Sequence, residues 1–197
     1  PPPVTTITIY AAGDIGECGF GALDTGRLLD RLPGGYLLAL GDLAYMNGSA
    51  VNFRDCYDPA WGRHLDRTRP VPGNHEYLTA GAKGYYDYFR GRQPGPPGYY
   101  RVHAGSWQIY VLNSNCDKVS CAREATWLNR QMAAHPAKCS MVTMHHPRYS
   151  SGLEHGNDPA VIPLWRAALR HRNDLVLSGH EHDYERHGFS KELPVHV

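Results

Sequence analysis

The sequence carries no excess of charge of either sign. Twenty Lys and Arg stand against nineteen Asp and Glu, a net charge of +1 at neutral pH. That balance excludes the basic footprint of an electrostatic nucleic-acid binder and the polybasic patch of a membrane-surface binder. No stretch approaches the roughly 18 consecutive apolar residues a spanning helix needs. There is no internal repeat and no long low-complexity segment. None of the five Cys forms a C-x-x-C pair, which argues against a structural zinc knuckle. No signal peptide is visible at the N-terminus, and a processed chain would show none either.

What remains is an ordinary globular composition, 42% apolar and 20% charged over 197 residues. That length suits one domain spanning 1–197, with Pro1-Pro2-Pro3 as a stiff, flexibly attached leader outside the fold. The unusual count is twelve His. Imidazole is the commonest side-chain metal ligand, so the excess points to metal chemistry if the residues fall together. Cys116 and Cys121 flank a short polar stretch. Either they close a local disulfide, which implies an oxidising compartment, or they are reduced, partly buried thiols. The odd count leaves at least one thiol free or paired with another chain.

Along the chain, strands and helices alternate. The β-branched run Thr5–Tyr10 predicts a strand entering Gly13-Asp14. A helix over Ala22–Leu32 is stopped by Pro33-Gly34-Gly35. The apolar run Tyr36–Leu40 reads as a strand buried on both faces, ending in Gly41-Asp42. A third short strand, Arg69–Pro72, ends in Gly73-Asn74-His75-Glu76. Gly91–Gly98 reads as a surface loop. Tyr99–His103 and Trp107–Asn113 form a hairpin around Ala104-Gly105-Ser106. Ala122–His135 is helical, with Ala125, Leu128 and Met132 on one face. Ser140–Met144 is a strand ending in His145-His146. Asp158-Pro159 caps a helix over Ala160–His171. Asp174–Leu177 is a last strand, ending in Ser178-Gly179-His180-Glu181-His182. The class is α/β, with five apolar strands each delivering Asp, Asn or His to one sheet edge, where open α/β sheets bind ligands.

The delivered set is Asp14, Asp42, Asn74, His145, His180 and His182. Three oxygen donors and three imidazoles suit first-row divalent or trivalent metals. They are too many for one tetrahedral zinc and enough for two ions sharing a carboxylate. Two ions about 3.5–4 Å apart form the clamp used for in-line phosphoryl displacement. Each signal alone is a common turn or surface loop. Five in register at strand ends are hard to assign to chance.

Asp14-Ile15-Gly16, Gly41-Asp42-Leu43-Ala44-Tyr45, Gly73-Asn74-His75-Glu76, Val142-Thr143-Met144-His145 and Gly179-His180-Glu181-His182 resemble, in order, the five motifs of the calcineurin-like metallophosphoesterases. Tyr45, three residues after Asp42, makes the purple acid phosphatase branch the nearest. Gly84–Phe89 and Gly179–Arg186 are similar to bacterial secreted members of that branch. The resemblance implies a layered α/β/β/α sandwich and a dinuclear, metal-dependent phosphoester hydrolase acting on small phosphate esters, most simply a phosphomonoesterase of acid-phosphatase type. It implies Fe3+ held by Asp14, Asp42, Tyr45 and His182. A second ion, Zn2+, Mn2+ or Fe2+, would be held by Asp42, Asn74, His145 and His180. A metal-bound hydroxide would attack phosphorus, with His75 or His155 as general acid. His146 and Arg148 would contact phosphate or support the ligands, and Glu181 would orient one of the neighbouring His. Tyr45 also fits a plain core aromatic.

A phosphodiesterase or nucleotide pyrophosphatase on the same metal core is the alternative activity, and a metal-binding domain with little turnover is the second alternative. The expected setting is extracytoplasmic, with no nucleic-acid or membrane partner. The family continues past its last motif with further strands. Here about fifteen residues follow His182, and Lys191–Val197 does not read as a strong strand pair. The last strands are therefore expected to be missing.

Overall fold

Alternation along a few short strands builds the layers in the computed structural model, which describes residues 6–188 and Val195–His196. Strands β1 (Ile9–Ala12), β2 (Tyr36–Ala39) and β3 (Thr68–Pro70) pair in parallel in that order. Strands β4 (Tyr100–Ala104) and β5 (Trp107–Val111) form an antiparallel hairpin. Then β6 (Cys139–Thr143), β7 (Leu175–Leu177) and β8 (Val195–His196) extend that second sheet in parallel. Successive strand side chains point to opposite faces. In β2, Leu37 and Ala39 face one core, while Leu38 faces another. In the second sheet, Ile109, Val111 and Met141 face Leu38, whereas Tyr110 and Val142 face the opposite way. The two sheets therefore pack face to face, and each carries helices on its outer side.

Helix α1 (Phe20–Arg31) covers the outside of the first sheet. It is joined there by α2 (Ala50–Asn52), α3 (Asp58–Trp61) and α4 (Lys83–Tyr88). Phe53, Tyr57, Tyr85 and Phe89 fill the space beneath them. On the second sheet, α5 (Cys121–Ala134) and α6 (Ile162–Arg170) pack over Tyr110, Val142 and Val176. Leu128, Leu164 and Ala168 point inward there. Burying each such Leu contributes about 1.5–3 kcal/mol. Two helix caps are present, of which the sequence predicts the one at Asp158. The Ser120 hydroxyl accepts from the Arg123 N–H, and the Asp158 carboxylate accepts from the Ala160 N–H at 2.8 Å. No described helix is long and apolar enough to cross a membrane.

Several sequence expectations shift. The first strand is Ile9–Ala12, not Thr5–Tyr10; Pro1–Thr5 lie outside the described residues. Register decides here over β-propensity, because Ile9 pairs with Tyr36 and Ala12 with Ala39. The third strand begins and ends slightly earlier, at Thr68 and Pro70. The helical segments between Ala50 and His64, and α4, carry no periodic signal long enough to read from sequence. Lys191–Pro194 and Val197 lie outside the described residues, but Val195–His196 runs parallel beside β7. Cys116–Cys121 is a disulfide. So is Cys18–Cys56, which ties the loop after β1 to the segment after α2. Cys139 is free.

One carboxyl group sits deep in this frame. Glu124 on α5 is fully buried, and its Oε1 accepts the Asn113 N–H at 2.7 Å. Oε2 has no partner among the described residues. Burial pushes its carboxyl from the ordinary 4.5 up to about 8, against the pull of the Asn113 bond. Between those values the unfolded chain has lost a proton that the folded chain keeps. Stability is therefore full below pH 4.5 and falls as pH rises towards 8. The expected slope from this group is about 1.4 kcal/mol per pH unit. Urea denaturation of wild type and Glu124→Gln across this window should show the slope reduced by that amount in the variant. Parallel curves would contradict it.

Candidate metal centre

The loops following β1, β2, β3, β6 and β7 converge on a single carboxylate. Asp42 Oδ2 lies 3.4 Å from the Tyr45 hydroxyl and 3.4 Å from His145 Nε2. On the Tyr45 side, the hydroxyl donates to Asp14 Oδ1 at 3.2 Å and lies 3.2 Å from His182 Nε2. On the other side, His145 Nε2 lies 3.0 Å from Asn74 Oδ1 and 3.2 Å from His180 Nδ1. The sequence-predicted set Asp14, Asp42, Tyr45, Asn74, His145, His180 and His182 is thus brought together. It falls into two groups that share Asp42.

Backbone geometry makes this approach possible. Asp14, Asp42, His180 and His182 all have positive φ, between 51° and 80°. Each non-glycine residue held there costs about 1–3 kcal/mol, and such strain gathers at functional sites. Gly41 and Gly73 precede two of the site residues for a steric reason. A Cβ on Gly41 would stand 2.4 Å from His145 Nδ1, and one on Gly73 would stand 2.1 Å from Asp42 Oδ1.

Two buried carboxylates hold the loops in place. Glu76 accepts N–H groups from Asp42 at 3.0 Å, Leu43 at 2.8 Å, Ala44 at 3.3 Å and Gly73 at 2.7 Å. It thereby ties the loop after β2 to the loop after β3. Burial and the nearby Asp42 charge push its carboxyl up to about 7, while the Gly73 and Leu43 N–H groups pull it back. Glu181 accepts from the N–H groups of Glu154, His155 and Gly156 at 2.6–3.0 Å. The expectation that Glu181 orients a neighbouring His is corrected here. Its hydrogen bonds run to the backbone of the 154–156 loop, whose His155 ring stacks on His180 at 4.0 Å.

The electrostatics suit cations. His145 Nδ1 faces the Leu40 carbonyl at 2.8 Å, and a carbonyl only accepts. Nδ1 therefore carries a proton, which leaves Nε2 as the nitrogen that would ligate a metal once its own proton is displaced. Burial alone would lower His145, but the Asp42 and Asp14 charges outweigh it and raise the ring to about 9. Burial raises Asp42, but His145 and His75 together outweigh it and leave the carboxyl near 2. Asp14 is raised, chiefly by burial. Burial and the neighbouring His145 hold His180 down to about 3. Burial and the two carboxylates push the Tyr45 phenol far above its ordinary range. Oxygen and nitrogen donors thus meet at short range, and a cation bound among them would take the place of the protons that His145 and Tyr45 otherwise keep. One ligand atom each from Asp14, Asp42 and His145 lies within 4.8 Å of the others, as do atoms of His145, His146 and His180, and either triad could hold a metal ion. The donor set fits first-row metals.

The remaining predicted residues sit around this centre. His75 points Nδ1 at the Met46 carbonyl at 2.6 Å and places Nε2 3.8 Å from Asp42 Oδ2. The His146 ring lies 4.5 Å from that of His180, and its Nδ1 is 2.8 Å from the Ser114 hydroxyl. Arg148 stacks over the Tyr149 ring at 4.5 Å, and no described contact joins it to the cluster. Sequence reasoning misses Glu76 as a clamp, Ser114 as the partner of His146, and Glu154, 3.6 Å from His182. Only the Gly73-Asn74-His75-Glu76 motif hints at the first. In Glu76→Ala, four buried N–H groups lose their acceptor. We expect a loss of about 3–5 kcal/mol by urea denaturation, with amide exchange accelerated first at Leu43 and Gly73. Wild-type exchange at those amides would contradict the clamp.

A phosphoenolpyruvate phosphatase of Allium cepa is 28% identical over 210 residues, covering 94% of this chain and 44% of that protein. Purple acid phosphatase 1 of Ipomoea batatas is 28% identical over 175 residues, covering 76% of this chain and 36% of its own. A purple acid phosphatase of Glycine max is 25% identical, covering 94% and 46%. The chain therefore spans about half the length, or less, of these relatives. Among solved structures, GAP50, the anchor in the inner membrane complex of Plasmodium, superposes with a TM-score of 0.70 at 15% identity, over 95% of this chain and 69% of that one. A putative 5'-nucleotidase from Staphylococcus aureus gives 0.61 at 14% identity, over 96% and 47%. At such identities the likeness is one of fold. The family model for calcineurin-like phosphoesterases matches residues 7–184, and the chain belongs to that family.

Proposed function

We propose that the chain hydrolyses small phosphate monoesters with two metal ions. One would be held by Asp14, Asp42, Tyr45 and His182, the other by Asp42, Asn74, His145 and His180. The observation that carries this reading is the position of Asp42 Oδ2, within 3.4 Å of both the Tyr45 oxygen and His145 Nε2. A carboxylate in that position can bridge. The phenol beside two carboxylates favours Fe3+ at the first position, with Zn2+, Mn2+ or Fe2+ at the second. Bound there, the ions would supply positive charge to the phosphoryl oxygens and activate water for in-line attack.

The protein's own residues supply the rest. Asp42 has little freedom, because the His75 N–H donates to its Oδ1 at 2.9 Å and Glu76 holds its own N–H. His145 is fixed in one tautomer by the Leu40 carbonyl. His75 and His155 flank the cluster from opposite loops, and each can pass a proton to a leaving oxygen. Burial and His145 keep His146 neutral, pressed down to about 2, so it meets phosphate as a hydrogen-bonding group beside Ser114. The disulfides Cys116–Cys121 and Cys18–Cys56 support an extracytoplasmic setting. The near-neutral charge favours a small substrate over a nucleic acid.

Elemental analysis with p-nitrophenyl phosphate and bis-p-nitrophenyl phosphate assays tests the reading. Wild type should carry two ions per chain and prefer the monoester. Asp42→Asn should lose both ions and at least about 10³ of its rate, the scale of a lost charge-stabilising group. Full metal content and rate in Asp42→Asn would overturn the bridge. A strong diester preference would overturn the substrate class.

His75→Asn and His155→Asn separate the proton donors. Loss of the general acid should cost about 10²–10⁴ in kcat. The cost should be much larger for an alkyl phosphate than for p-nitrophenyl phosphate, whose leaving group needs little protonation. Equal losses on both substrates in both variants would remove these residues from that role.

A further inference from the structure

Outside the Asp42 cluster, β3 and β4 form the outer edges of their sheets on the same side of the sandwich. The Tyr100 hydroxyl donates to the Pro70 carbonyl across this edge at 2.9 Å. A concavity of about 380 Å³ opens there. Arg69, Arg92, Arg101 and His103 line it, and no carboxylate does. Among the described residues, none of the three guanidinium groups has a carboxylate within 4.0 Å. By contrast Arg54, Arg63 and Arg90 on neighbouring segments are each paired with an Asp.

The cations are also held in place. Nη1 of Arg69 and Nη1 of Arg92 both approach the Asp66 carbonyl, at 3.5 Å and 3.1 Å, so two like charges are neighbours. Arg69 stacks over the Tyr36 ring at 5.1 Å. Across the hairpin, Gln108 is buried. Its Oε1 accepts from Arg101 at 2.7 Å, and its amide nitrogen lies 3.1 Å from His103 Nδ1. Adjacent unpaired guanidinium groups repel one another, and a shared multivalent oxyanion relieves that repulsion. Guanidinium forks match phosphate oxygens in bidentate fashion.

We propose that this edge cleft is a binding site for an oligophosphate chain, separate from the metal centre. Three arginines lining one concavity suit several linked phosphates better than a single tetrahedral anion. Charges on edge strands also blunt edge-to-edge pairing. That role needs no convergence of Arg69 and Arg92 on one carbonyl.

Calorimetric titration of the full chain with inorganic tripolyphosphate tests the site. The proteins compared are wild type, Arg92→Ala/Arg101→Ala, and Arg166→Ala as a control on a distant helix. The double variant should bind at least ten-fold more weakly, with wild-type melting temperature and p-nitrophenyl phosphate hydrolysis, and Arg166→Ala should bind as wild type does. If the double variant fails to fold, the exposed Arg92→Glu should show the same weakening. Equal affinity in wild type and the variants would place binding elsewhere and overturn the proposal. So would the absence of tripolyphosphate binding to wild type, or aggregation of the variants with unchanged affinity. Because binding and hydrolysis are read separately, loss of hydrolysis in wild type itself would bear on the catalytic reading alone.

Discussion

Asp42 Oδ2 is the atom on which the site is organised. Tyr45 and His145 reach it from opposite sides, and through them Asp14 and His182, Asn74 and His180 are placed. The Asp14 carboxylate, a phenol, an amide oxygen and three imidazoles gather around it. Unit charges about 4 Å apart interact by about 4 kcal/mol at the effective dielectric near a protein surface. Asp14 and Glu76 each lie close enough to Asp42 to feel its charge. Cations are the natural counterweight, which is why the chemistry of this fold and the geometry of this cluster point the same way.

Holding that arrangement requires rigidity elsewhere. Four of the gathered residues sit at positive φ, and the glycines before Asp42 and Asn74 leave room only for hydrogen where a Cβ would collide. Glu76 and Glu181 perform parallel tasks. Each is a buried carboxylate whose oxygens accept three or four backbone N–H groups, so each turns a flexible loop into a fixed one. Behind them, three apolar layers and two disulfides set the strand ends. The site is thus mounted on parallel strands, with its loops locked by hydrogen bonds rather than by side-chain packing alone.

Much of this was legible in the sequence because the informative residues are local. Gly41-Asp42 after an apolar run, Tyr45 three residues on, and Gly179-His180-Glu181-His182 after another run declare both strand end and donor type. The hairpin at Gly105-Ser106 and the Asp158 cap are equally local signals. The illegible parts depend on contacts between distant segments. Glu76 is a clamp only because Gly73 and the loop of Asp42 meet around it. Cys18 finds Cys56 across 38 residues, a pairing no spacing rule gives. Ala11 and Ala12 are poor strand formers, yet they enter β1 because Leu38 and Ala39 lie beside them. The helical segments from Ala50 to His64 are each too short to show a period.

The central claim is that one carboxylate joins two cations. Anomalous diffraction from crystals of the purified protein, recorded at the iron and zinc edges, tests it most directly. The account predicts two peaks roughly 3.5–4 Å apart with Asp42 Oδ2 between them, one beside Tyr45 and the other beside Asn74. A single peak, or two peaks with Asp42 touching only one, would contradict it.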